Sequence, residues 1–283
     1  MKVRLNWYDF GSRYVMNNSR IFIFLILSVI AFGFTEQQPQ ASVSELKTTA
    51  VNEAFKRGEK LKFRLHYGFM DAAEITLDVK DEAKTFGSSN TFHVVGVGNS
   101  KGSFDWFFKV RDRYETYIDE NALVPWFFLR RVDEGGYIIN QDYFFNHYKK
   151  KVEIGAGESF DIPDDTQDML SAFYATRCID FTNAKEGDVF TINSFVDKEM
   201  FKLQIKYVGK ETIKTGLGKF KCLKFRPVIQ KGRIFKHEDD LKVWITDDKN
   251  HIPVRAEAEI LFGSIKMDLI EYSGLANPIS KVD

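Results

Sequence analysis

From Gly58 onward the chain alternates. In "KLKFRLHY", Leu61, Phe63, Leu65 and Tyr67 fall on one face and Lys60, Lys62, Arg64 and His66 on the other. "FKLQIKYV" sets Phe201, Leu203, Ile205 and Tyr207 against Lys202, Gln204 and Lys206. A period of two marks a strand with one buried face, because apolar positions on a helix recur at three and four residues. Sheets of this kind are usually antiparallel. Comparable runs at 73–80, 91–98, 106–118, 124–131, 137–146, 188–195, 219–229, 234–246, 252–262 and 264–272 predict an all-β, mainly antiparallel chain.

The alternation repeats over a long period. Gly58-Glu59 returns as Gly187-Asp188 and Gly87 as Gly216, both 129 residues on. Lys101-Gly102 returns as Lys231-Gly232, Tyr117-Ile118 as Trp244-Ile245, and Pro125 as Pro253, with the offset drifting by one or two residues. Self-similarity at a fixed period implies a repeated supersecondary unit. The expected architecture is two related β-meander halves, 58–146 and 187–272, within one domain spanning 58–275. Together they form either a barrel or a pair of curved sheets.

One segment departs from the pattern. In "IPDDTQDMLSAFYATRCID", Met169, Leu170, Phe173 and Tyr174 have helical spacing, with Asp164 or Asp165 as N-cap and Arg177 in the last turn. This predicts a single short helix connecting the halves. Asp165, Asp168, Ser171, Tyr174 and Arg177 step by three along it, which makes Asp165, Asp168 and Arg177 the candidate catalytic cluster. A capped helix with internal ion pairs is the competing account.

Residues 21–34, "IFIFLILSVIAFGF", follow Arg20 and precede a polar stretch. So short an apolar run reads as the core of a signal peptide over residues 1–33, cleaved after Gly33, with an uncleaved N-terminal anchor as the alternative. Met16 opens "MNNSRIFIFLIL", the expected start of that leader, and residues 34–57 read as a polar leader. The expected address is the periplasm or envelope. No cysteine lies near the run, so a lipid-anchored lipoprotein is not expected. Cys178 and Cys222, the two cysteines, either pair in an oxidising compartment or are buried separately. Basic and acidic residues number 40 each. A neutral chain offers no electrostatic case for a nucleic-acid partner.

Other chemistry is sparse. The five histidines have no metal-ligand spacing, and no cofactor or metal is expected. "GVGNSKG" at 96–102 lacks the helix that a phosphate-binding loop requires, since the aromatic run "FDWFFKV" reads as a strand. Asp247-Asp248, in "KVWITDDKNHIPV", lies between two alternating runs and reads as a hairpin turn; a carboxylate site is the alternative. "FDWFF" (104–108) and "PWFFL" (125–129) are apolar on both faces, which suits a packed core or the lining of an apolar ligand site. On that second account Trp106, Phe108, Trp126, Phe128 and Tyr174 are the candidate ligand-binding residues.

"GEKLKFRLHYG", "DDTQDMLSAFYATR", "GKFKCLKFRPVI" and "LKVWITDDKNHIPV" together resemble a family of exported bacterial proteins, domain of unknown function 3108. The resemblance implies export and a β-rich fold, and carries no catalytic residues with it. The expected function is non-enzymatic binding of a lipid-like ligand or an envelope protein partner. A hydrolase acting on envelope glycans or lipids and an outer-membrane barrel are the alternatives.

Overall fold

The computed structural model describes residues 44–45, 51–87, 89–155, 157–228, 240–260 and 263–282. The expected leader at 1–33 and the repeat pair Lys231-Gly232 lie outside them. Two six-stranded antiparallel meanders account for most of the chain. The first comprises β2 (Lys60–Tyr67), β3 (Met70–Phe86), β4 (Ser89–Ser100), β5 (Arg111–Asp119), β6 (Pro125–Glu134) and β7 (Tyr137–Asn146). The second comprises β10 (Val189–Val196), β11 (Glu199–Thr215), β12 (Gly218–Pro227), β13 (Leu241–Thr246), β14 (Pro253–Ile260) and β15 (Gly263–Ser273). Short strands β8 (Lys151–Ile154) and β9 (Glu158–Asp161) extend the first, while β1 (Ser44–Glu45) and β16 (Lys281–Val282) pair with β10 and β12.

The repeat reaches down to single hydrogen bonds. The opening strand has 8 residues and the second 17 in both halves. Gly58 N donates to Val79 O at 2.8 Å and Val79 N to Glu59 O at 2.9 Å; Gly187 N donates to Tyr207 O at 3.0 Å and Tyr207 N to Asp188 O at 2.8 Å. Both glycines have positive φ, 80° and 99°, a conformation that side-chain-bearing residues rarely adopt. At the other end, Leu123 and His251 occupy the same left-handed position two residues before Pro125 and Pro253.

The two meanders are one sheet. β15 pairs antiparallel with β2, giving the order β1-β10-β11-β12-β13-β14-β15-β2-β3-β4-β5-β6-β7-β8-β9. The sheet curls until the chain just beyond β9 reaches β10, where Gln167 bridges Ser194. Its outer face carries ion pairs at mid-strand: Lys62–Glu74 at 2.9 Å and Arg255–Asp268 at 2.7 Å. Charges at that depth would be costly against lipid, which argues against an outer-membrane barrel. Among the described residues no helix is long and apolar enough to cross a membrane.

Four local expectations change. The chain has two described helices, not one: 102–107 of the expected strand 106–118 and its approach form α1 (Gly102–Phe107), with β5 beginning only at Arg111. A helix does therefore follow "GVGNSKG", but one of six residues. The connecting helix is α2 (Met169–Arg177), capped by Asp168 rather than Asp164 or Asp165. Residues 51–57 are not a loose leader: Ala54 and Phe55 are buried, and the Phe55 ring packs edge-on against Tyr174 at 4.7 Å and Phe92 at 5.0 Å.

Candidate functional site

α2 is enclosed by the curled sheet, and the cap that starts it is wholly buried. Asp168 Oδ1 accepts from Leu170 N (2.7 Å) and Ser171 N (2.8 Å), while Oδ2 accepts from Thr116 Oγ1 (2.5 Å). The Ser171 hydroxyl answers by accepting from Asp168 N at 2.8 Å, closing a capping box. Burial pushes the Asp168 carboxyl up to about 6, against those donors. Asp165 accepts from Asn193 Nδ2 at 3.0 Å and so ties the approach to α2 onto β10.

At the other end of the helix, Arg177 is 2% exposed and forms a two-pronged pair with Glu59, itself 0% exposed, at 2.6 and 2.8 Å. Its remaining donors reach Asn250 O (2.9 Å) and Ala54 O (3.1 Å). Asp168 and Arg177 therefore stand at opposite ends of α2, and Asp165 lies outside it. The three candidate catalytic residues have structural partners and share no pocket.

The five candidate ligand residues do not converge. Trp106 is 83% exposed on α1. Phe108 is half-buried against Gly135, where a Cβ would stand 2.5 Å from its ring. Trp126 donates from Nε1 to Asp119 Oδ2 at 3.0 Å. Phe128 packs inside between Tyr114 and Tyr143, and Tyr174 is buried on α2.

Asp247-Asp248 forms a turn. Asp248 Oδ1 accepts from Thr246 Oγ1 (3.0 Å) and Asn250 N (2.8 Å), and its Oδ2 accepts from Ser280 N (2.6 Å). The corner thus also fastens the C-terminal segment. β13 and β14 pair through it, with a bulge between Trp244 and Ile245 opposite Pro253. That bulge breaks the alternation, so Val254 leaves the face of Ile252, Ala256 and Ala258. It is buried instead with Trp244, Cys222, Phe220 and Ile213 under the C-terminal segment. Cys178 and Cys222 are both free thiols, and burial pushes each up to about 12.

What the fold does assemble is an apolar cavity of about 140 Å³ between α2 and the inner faces of both halves. Phe173, Thr176 and Arg177 roof it from the helix; Leu203, Ile205, Phe225, Val243 and Ala256 wall it on the second half, and Phe63, Ile75 and Leu77 on the first. His251 forms its polar corner. Burial lowers the pKa of the ring, and Nδ1 lies 2.7 Å from the Arg177 carbonyl, which can only accept. Nδ1 therefore carries the proton and Nε2 of the neutral ring is an acceptor. No single run of sequence marked this site, because its walls come from eight elements. The earliest available signal was the pair of small residues, Ala256 and Ala258, on an otherwise bulky inner face. Among the described residues no group of three His, Cys, Asp or Glu side chains could hold a metal ion.

A second interior cluster is polar. Asp112 and Glu134, both 2% exposed, lie together beside the fully buried Arg130. Burial raises both carboxyls, and the Asp112 charge raises Glu134 further; Asp112 Oδ2 and Glu134 Oε1 have no other hydrogen-bond partner. A proton shared between them supplies that bond. Arg130 reaches across to Asp197 at 2.9 Å, linking the first meander to the β10–β11 turn.

No curated protein matches the chain. A β-barrel-like protein of DUF1849 from Brucella abortus is similar in structure, with 9% identity over 78% of this chain and 99% of its own and a TM-score of 0.48. A protein assigned as exported, with a YmcC-like fold, from Bacteroides fragilis is 15% identical over 78% of this chain and 99% of its own, at a TM-score of 0.30. A protein assigned as a lipoprotein from Parabacteroides distasonis is 13% identical over 77% and 96%, at 0.33. The profile of "Protein of unknown function (DUF3108)" matches residues 62–270, most of the chain, and the protein belongs to that family.

Proposed function

We propose that the protein is an exported, non-enzymatic binder of an apolar or amphipathic chain, which it holds in the cavity beneath α2. The carrying observation is the cavity itself. An engineered apolar void of about 150 Å³ stays dry and takes up benzene or xenon, so a cavity of about 140 Å³ lined by Phe, Leu, Ile and Val prefers a hydrocarbon to water. His251 Nε2 adds one acceptor, which suits a ligand bearing a hydroxyl or a protonated carboxyl at that position. The apolar run at 21–34 supports export. A hydrolase reading draws no support from Asp165, Asp168 and Arg177, whose polar atoms are engaged with the protein's own backbone and side chains.

The test is binding of toluene, followed by saturation-transfer NMR, and its displacement by a medium-chain fatty alcohol. Saturable binding that disappears in Ala256→Leu, a variant that fills the cavity, is the expected result. Absence of saturable binding in the folded parent protein would sink the proposal.

A further inference from the structure

Eleven large apolar side chains are exposed among the described residues, and they are not evenly spread. Alternate connections of a meander lie at alternate ends. β2, β4, β6, β10 and β12 all finish at one end of the curled sheet, since each runs antiparallel to its neighbours and β15 pairs antiparallel with β2. Eight of the eleven lie in, or within two residues of, the connections at that end. They include Phe69 (96% exposed), Trp106 (83%), Phe107 (74%) and Ile138 (64%), followed by Met200 and Val228. Only Val51, Phe144 and Tyr148 lie elsewhere.

We infer that this end of the molecule docks on the surface of a lipid bilayer. The apolar groups stand on several hairpin tips and on α1, where Trp106 and Phe107 pack edge-on at 4.7 Å. Only Tyr137 and Ile138 among them line a hollow, of about 630 Å³ beside Asp197 and Lys198; the rest are spread over the end of the sheet, as suits a broad deformable surface. Trp and Phe on such tips favour the boundary between headgroups and acyl chains. The charges around them match an uncharged surface. Arg111 is paired with Asp105 at 2.7 Å, Lys101 with Glu74 at 2.5 Å and Lys198 with Glu158 at 2.7 Å. Cations already neutralised within the protein leave little to attract an anionic peptide or an anionic leaflet, and the fitting surface is a zwitterionic one.

The cavity extends toward the same end. Pro227 and Leu241, which line it, stand on either side of the β12–β13 connection at this end. In this respect the inference deepens the cavity reading: a bilayer is the source of the apolar chain, and docking brings the cavity to it.

The experiment is flotation of the full chain with phosphatidylcholine vesicles, together with quenching of tryptophan fluorescence by phosphatidylcholine brominated near the headgroup end of its chains. Trp106 is read as the difference between parent protein and Trp106→Phe. The expected result is flotation that persists in high salt, with Trp106 quenched. The double variant Trp106→Ser/Phe107→Ser, at exposed positions, should partition roughly tenfold or more weakly while its binding of toluene is unchanged. Three outcomes overturn the inference. One is flotation that the double variant retains, which assigns attachment to residues 21–34. Another is binding only to anionic vesicles that salt abolishes. The third is no flotation at all, which hands the apolar tips to a protein partner. None of the three bears on whether the cavity is filled, which the probe reports separately.

Discussion

Replacing Glu59 by Gln should unfold the protein more readily than any surface change, because Glu59 is the counter-ion of a buried arginine. Arg177 places four of its five donor hydrogens on partners: two on the Glu59 carboxylate, one on Ala54 O and one on Asn250 O. Its guanidinium also lies 5.2 Å from the Tyr174 ring and 5.7 Å from that of Phe55. A Gln at 59 keeps the shape but presents an amide where one prong must be accepted, and removes the balancing charge at a site 0% exposed. Removing one partner of such a pair costs about 3–5 kcal/mol, since the remaining charge has neither water nor a counter-ion. Arg177→Met should cost a similar amount by leaving the carboxylate alone. The double variant should cost much less than the sum, because neither charge then remains. Urea unfolding of the four proteins measures the cycle, with coupling expected at about 2–4 kcal/mol. Single-variant losses below about 1 kcal/mol, or simple additivity, would show that the pair does not hold the N-terminal segment, α2 and the β13–β14 turn together.

Three further outcomes follow from the described contacts. Asp112 and Glu134 are raised in the folded state to about 6 and about 8 from 3.8 and 4.5, so the stability they add is present below their unfolded values and lost as pH rises to about 8. Glu134→Gln should therefore flatten the decline between pH 6 and 8 by at least about 1.4 kcal/mol, the equivalent of one pKa unit, in denaturant melts across that range. Asp248→Ala removes the acceptor for Thr246, Asn250 and Ser280; it should cost about 1–3 kcal/mol and raise hydrogen exchange at Ser280 first. Ala256→Leu should stabilise the unliganded protein by about 1–2 kcal/mol, from three added carbons at about 0.8 kcal/mol each less the ordering of the side chain; destabilisation in urea melts would show that the space at Ala256 is already filled.

Much of the sheet was legible because each strand has one wet face and one dry one, and the two meanders were legible because the same strand pattern returns 129 residues later. The failures have separate physical causes. "GSFDWF" forms α1 in six residues, too few for a helical period to appear, and its Trp106 and Phe107 are exposed as no core strand's aromatics would be. The cap expected at Asp164 or Asp165 is Asp168, whose partner Ser171, three residues on, closes the box. Val254 followed the alternation in sequence and left it in space because of one bulge. The Glu59–Arg177 pair joins residues 118 apart, and no local pattern announces such a partner.

The cavity exists because two similar meanders treat the helix between them differently. On the first half, β4 presents Gly96 to α2. A Cβ there would stand 3.2 Å from Leu77 and 3.8 Å from Leu170, so the glycine lets the helix settle closely onto that half. Met169, Leu170 and Tyr174 belong to the main core, with Phe63, Tyr114 and Phe128 of the first half and Phe195, Leu241 and Met267 of the second. On the second half, β12 presents Phe225 and Pro227 at the corresponding place, and both line the cavity. Their bulk holds α2 off, while Ala256 on β14 is too small to fill the space that results. Of the helix residues only Ala172 joins the smaller cluster formed by Phe190, Ile192, Leu203, Ile205, Tyr207 and Phe225 on β10 to β12, and no side chain of α2 is smaller. A duplicated sheet with identical inner faces would pack a central helix evenly and leave no room for anything else. The differences between the halves, Gly against Phe and bulky residues against Ala, convert a structural repeat into a container.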